Sequence, residues 1–133
     1  MTFNHKTCSF FGLDNLKSTK ENKTKFKNLI KYLIMNKKIK NFYFCNCGIF
    51  CNICHDIIMK LKLEYSDIQN VNYSLEEFKS LDKHYFTLLC YQIYEMIYRS
   101  SYVVVYVNNK KNNEASKILK YALKKKKQII NIC

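Results

Sequence analysis

The 133-residue chain contains no proline and no tryptophan, only two glycines, and a single arginine among its 23 basic residues. Without proline it has no proline-rich linker. Arg99 is its only arginine, and arginine is the side chain that most often recognises guanine through two hydrogen bonds. No hydrophobic run reaches the roughly 18 to 20 residues that a membrane helix needs. The first residues also lack the apolar core of a signal peptide, so the expected compartment is the cytosol.

The net charge of +13 comes almost wholly from lysine. Lysine, asparagine, isoleucine, tyrosine and phenylalanine are all abundant, which is the bias that an AT-rich genome produces. Positive charge alone supports only non-specific attraction to phosphate. Nucleic-acid binding is therefore left open by the composition but is not favoured by it.

Seven cysteines are an odd number, so a complete set of intramolecular disulfides is excluded. In the cytosol the thiols are expected to be reduced.

With 48% hydrophobic residues at this length, the chain predicts one domain over residues 1–133. Short apolar segments predict strands near 7–11, 41–45, 68–73, 102–107 and 128–132. Between them, apolar residues recur at helical spacing, the last such stripe ending at Leu123. Ser18 and Glu21 fit a capping box at the start of the first helix. This alternation predicts an α/β fold, a Rossmann-like three-layer α/β/α sandwich with a mainly parallel sheet of about five strands.

In open α/β sheets, ligands bind beyond the carboxyl ends of the strands, where helix N-termini attract anions. The segments that follow the first, second and fourth predicted strands meet this criterion. They supply the candidate ligand-binding residues Gly12, Leu13, Asp14, Cys45, Asn46, Cys47, Gly48, Asn108, Asn109 and Asn113.

Several of these segments resemble the SLOG superfamily of Rossmann-like nucleotide-binding domains, in particular its YpsA-like branch of unknown function. The resemblance covers nearly the whole chain. The positions that match the motifs of that branch are Cys8, Phe10, Gly12, Phe42, Phe44, Gly48, Phe50, Leu61, Lys62, Tyr65, Ile68, Met96, Ser100 and the segment 121–132.

The resemblance implies that a nucleotide-derived or other small anionic ligand binds at the strand ends, with the protein acting as a sensor. Cys45 and Asn46 stand where the family has glycines, and Asp14 stands in place of an arginine. The chain is therefore interpreted as a diverged member with a degraded phosphate loop. The alternative is a ligand-free structural or interaction domain, associated with nucleic acid through its basic surface or with further copies of itself.

Three more specific functions, namely catalysis, zinc binding and redox activity, are disfavoured by the sequence. Related phosphoribohydrolases need a Pro-Gly-Gly signature, which this chain lacks, so no catalytic residue and no enzyme activity is predicted. The four cysteines at 45, 47, 51 and 54 have no second spaced pair with which to complete a standard zinc module. The C-x-x-C motif at Cys51 and Cys54 lacks the proline that accompanies thioredoxin-like sites. No metal and no cofactor is predicted.

Overall fold

The computed structural model describes residues 6–12, 16, 18–45, 49–73, 94–106 and 113–132, with their side chains except at 45, 72, 73 and 113–116. Strands and helices alternate through these residues, as predicted. In chain order they are β1 (Thr7–Phe11), α1 (Lys20–Asn36), β2 (Asn41–Cys45), α2 (Ile49–Leu61), β3 (Gln69–Tyr73), α3 (described over residues 94–98), β4 (Tyr102–Val105), α4 (Asn113–Lys124) and β5 (Gln128–Asn131).

The five strands form one parallel sheet in the order β3-β2-β1-β4-β5. The central strand, β1, places Phe10 beside Phe44 of β2 on one side and beside Val104 of β4 on the other. Because the strands are parallel, their ends gather at two opposite borders of the sheet. We call these borders the carboxyl edge and the amino edge. The α/β fold and its Rossmann-like arrangement are confirmed.

The core lies on both faces of the sheet. Along β4, Val104 packs with the cluster that contains buried residues of α1 and α2, whereas Val103 and Val105 pack with buried residues of α3 and α4. All three valines are fully buried. Burial on both faces explains why this strand is apolar throughout rather than alternating.

Helix α1 begins one residue later than its sequence pattern suggested. Thr19 has extended backbone angles, and its hydroxyl accepts a hydrogen bond from the backbone amide of Asn22 at 3.1 Å. The predicted capping box of Ser18 and Glu21 is therefore wrong. Neighbouring serine and threonine residues can both cap a helix, and the cap was assigned to the wrong one of the two.

Two helices end with a lysine in the left-handed conformation. Lys38 and Lys126 both have φ of 59°. After α4, the amides of Lys127 and Lys126 donate to the carbonyls of Ala122 and Leu123, each at 3.0 Å, which is the Schellman arrangement. Glycine usually occupies this position because a Cβ is disfavoured there.

Buried serines join β1 to α3. The hydroxyls of Ser9 and Ser100 both donate to the carbonyl oxygen of Met96, at 2.9 and 2.8 Å, and they also contact each other. Since all of these groups are buried, the bonds satisfy polar atoms that would otherwise destabilise the fold. They hold the end of α3 against the centre of the sheet.

The predicted apolar stripe of α4 extends one residue too far. Ile118 and Ala122 are buried, but Leu123 is 65% exposed, because the neighbouring residue Ala122 already occupies the inward direction. β3 is the first strand in the order of the sheet, so it is an edge strand with only one neighbour, β2. Within the described part of the chain, none of the helices combines the length and the hydrophobicity that crossing a membrane requires.

Candidate functional site at the carboxyl edge

The strand order changes direction between β1 and β4, which is where a sheet of this type opens a crevice for ligands. Three of the predicted ligand-binding residues fall in the described part of the chain. Gly12 directly follows β1, Cys45 ends β2, and Asn113 begins α4. The others lie outside the described residues: Leu13, Asp14, Asn46, Cys47, Gly48, Asn108 and Asn109.

Gly12 lies against the first turn of α2. A Cβ atom at this position would come within 2.8 Å of Cδ2 and 3.1 Å of Cβ of Phe50. Phe50 is fully buried, so its ring has little room to move away. This close approach accounts for the glycine without any ligand. A ligand-binding role for Gly12 stays a prediction.

Aromatic rings fill the space beneath this point. The Phe50 ring meets Phe26 of α1 edge to face at 5.2 Å between centroids, and it lies 5.7 Å from Tyr106 and 6.3 Å from Phe10. Phe10 in turn stacks on Phe44 at 4.8 Å. We call these five residues the aromatic cluster. Tyr106 follows β4, and its amide donates to the carbonyl of Phe11 at 3.0 Å. Within the described residues, these rings therefore fill the space between the sheet and helices α1 and α2.

An open groove lies beside this packed region, between the start of α1 and the length of α2. Its cavity volume is about 290 Å³, near the small end of the range of about 300–1,000 Å³ for ligand pockets. Polar and apolar side chains alternate along its wall. They are Ser18, Lys23, Ile49, Asn52, Ile53, Asp56, Ile57 and Lys60.

The electrostatics of the groove favour an anion. Two lysines, Lys23 and Lys60, face one carboxylate, Asp56, whose oxygen lies 3.9 Å from Nδ1 of His55. The first turn of α2 contains no acidic residue that would offset the positive end of its dipole. The opposite is true of α1, where Glu21 lies in the first turn.

The C-x-x-C motif is buried in the core rather than presented to solvent. Cys51 and Cys54 are both almost completely inaccessible, and the Cys51 thiol donates to the carbonyl of Phe10 at 3.6 Å. Burial, and then the nearby Cys8, raises the pKa of the Cys54 thiol well above its ordinary value. A reactive cysteine needs the opposite shift.

The described side chains also contain no group of three or more histidine, cysteine, aspartate or glutamate residues that could hold a metal ion. The side chains of Cys45 and Cys47 lie outside the part of the chain to which this statement applies.

A larger cavity, of about 400 Å³, lies at the opposite border of the sheet, below β2 and β3. Its wall is mostly apolar, with contributions from Ile34, Ile39 and Ile68. The charges there are already matched in part, because Lys40 Nζ lies 3.1 Å from Asp67 and lowers the pKa of that carboxyl. We assign the candidate site to the groove, because it begins at the carboxyl edge, where the first turn of α2 has no acidic residue.

The side chains of the groove were missed in the sequence. Asn52, Asp56 and Lys60 recur four residues apart along the flank of the apolar stripe of α2, a signal that is visible in retrospect. Lys23 could not have been assigned to the same site, because nothing in the sequence shows that α1 and α2 lie side by side.

The fold and the groove define an α/β domain of Rossmann-like topology with a candidate anion site on its first two helices. Comparison of the chain with protein-family models, with curated proteins and with solved structures gave no match. Membership of the SLOG superfamily therefore stays a prediction from the residues that resemble it.

Proposed function

We propose that the protein is a binding domain, not an enzyme, which holds a small nucleotide-like anion in the groove between α1 and α2. The observation that carries this proposal is the lining of the groove, which combines lysine, amide and hydroxyl groups with isoleucine. The predicted SLOG relationship points to the same ligand class, and it adds a role as a sensor.

The polar residues of the groove suit the phosphate of a nucleotide, and the apolar residues suit its base. Lys23 supplies a positive charge, and Asn52 lies in the first turn of α2, where the helix dipole adds to the attraction for phosphate. Ile49, Ile53 and Ile57 offer an apolar surface for a base. The volume fits a mononucleotide better than a dinucleotide.

Thermal unfolding in the presence of a panel of mononucleotides tests the proposal. A ligand that binds only the native state raises the melting temperature by mass action. At ten times Kd, the expected rise is about 5 °C for a domain of this size.

The variant Lys23→Gln should reduce the rise for a ligand that binds the wild type. Lys25→Gln removes the same charge from an exposed position of α1 outside the groove, and it should leave the rise unchanged. If no mononucleotide at millimolar concentration changes the melting temperature of the wild type, the proposal is wrong.

A further inference from the structure

A second surface, at the amino edge, combines one exposed and two partly buried tyrosine rings with a dense run of lysines. It consists of Tyr94, Tyr98, Tyr121 and residues 124–127, and we call it the Tyr–Lys surface. The Tyr94 and Tyr121 rings pack at 4.7 Å between centroids, joining α3 to α4. Tyr98, at the end of α3, is 53% exposed.

The lysines of this surface lie over the tyrosine rings. Lys125 Nζ is 5.9 Å from the Tyr98 centroid and 5.8 Å from that of Tyr121, and Lys127 Nζ is 5.7 Å from Tyr98. Lys127 also donates to the carbonyl oxygen of Tyr98 at 2.9 Å. Burial, and then the charge of Lys125, lowers the pKa of Lys127. Lys125 and Lys127 thus place two positive charges beside one ring, which favours an anionic ligand at this surface.

Among the residues whose side chains are described, acidic groups do little to balance this charge. Residues 117–132 contain six lysines and no aspartate or glutamate. On α3, the carboxylate of Glu95 already pairs with Arg99 at 2.9 Å. Compensation of the helix dipole explains Lys124, which lies in the last turn of α4, but it does not account for tyrosine rings beneath the lysines that follow.

We propose that the Tyr–Lys surface binds single-stranded nucleic acid: the lysine ammonium groups move from the Tyr98 ring to the phosphates, and a base stacks on the ring in their place. Proteins that bind single strands without sequence preference combine aromatic platforms with cations in this way. A duplex is the poorer partner, because its bases are stacked inside the helix. Arg99, which follows Tyr98 in the chain and could read base edges, already pairs with Glu95.

Fluorescence anisotropy with a labelled oligothymidylate, at several salt concentrations, tests this proposal. Lys124→Gln/Lys125→Gln should reduce the slope of log K against log salt by up to about 1.4, since each phosphate contact of a single strand contributes about 0.7. The control, Lys25→Gln/Lys27→Gln, removes the same charge from exposed positions of α1 and should change the slope little. Tyr98→Ala should weaken binding about 5- to 150-fold.

The variant Tyr98→Phe keeps the ring and should keep most of the affinity. Melting temperatures of all variants identify any loss that is due to unfolding. The proposal is overturned if the wild type does not bind the oligonucleotide, or if both lysine pairs reduce binding equally, since net charge would then be the whole effect. Binding to anionic vesicles without binding to the oligonucleotide would also overturn it.

Discussion

The two edges of the sheet use aromatic residues in opposite ways. At the carboxyl edge, the rings of the aromatic cluster pack on one another, and its four phenylalanines are almost completely buried. At the amino edge, Tyr98 is half exposed beneath lysines. Aromatic residues alone therefore do not indicate a binding surface. Whether a ring is exposed and whether charged side chains lie beside it are the better indicators.

Replacing one aromatic ring at each edge should give the largest difference in the free energy of unfolding. Phe50→Ala is expected to lower the free energy of unfolding by about 3–5 kcal/mol, because it removes a buried ring that packs on three others. Tyr98→Ala should cost about 1 kcal/mol or less, since it removes exposed cation–π contacts. Chemical denaturation measures both, and equal losses would show that the two edges do not differ as described.

The buried thiols give a smaller effect, which depends on pH. Burial raises the pKa of Cys8 and Cys54 above the ordinary value of 9.0. The folded state therefore holds these protons when the unfolded state has lost them, so stability is retained below pH 9 and falls above it. Between pH 8 and 9.5 the loss is about 0.8 kcal/mol for each thiol.

Denaturation of the wild type and of Cys8→Ala/Cys54→Ala at both pH values measures this effect. The double variant should lose about 1.6 kcal/mol less than the wild type over this range. All other titrating groups are common to the two proteins, so they cancel in the comparison. If the stability of the two proteins depends on pH in the same way, the folded state does not raise the pKa of these thiols.

The smallest expected effect is a gain of stability at the amino edge. Lys126→Gly relieves the left-handed backbone at the end of α4 and should stabilise the fold by about 0.5–1 kcal/mol. Lys120→Gly, at an exposed position inside α4, should destabilise the fold by a similar amount. If Lys126→Gly were destabilising, its side chain would have a structural role that the conformation does not suggest.

The scaffold could be predicted from the sequence because its signals are local. A run of three buried valines indicates a strand covered on both faces, and the spacing of Phe26, Ile30 and Leu33 indicates one face of a helix. The order of β-strands and α-helices then followed from alternation alone.

The sites were harder to predict because they depend on contacts between distant residues. Gly12 was predicted to bind a ligand, and the residue that lies against it is Phe50, 38 residues later. The sequence shows four lysines at 124–127 but does not show that α3 places Tyr98 beside them. In both cases the sequence supplied the residue types but not their neighbours.

Mapping of backbone amide shifts by NMR tests the division of the two edges most directly. The same labelled protein would be titrated with a mononucleotide from the panel and, separately, with an oligothymidylate. We expect the mononucleotide to shift amides near Lys23 and Asn52, and the oligonucleotide to shift those near Tyr98 and Lys125. If both ligands shift the same amides, or if neither shifts any, the account of two separate binding surfaces is contradicted.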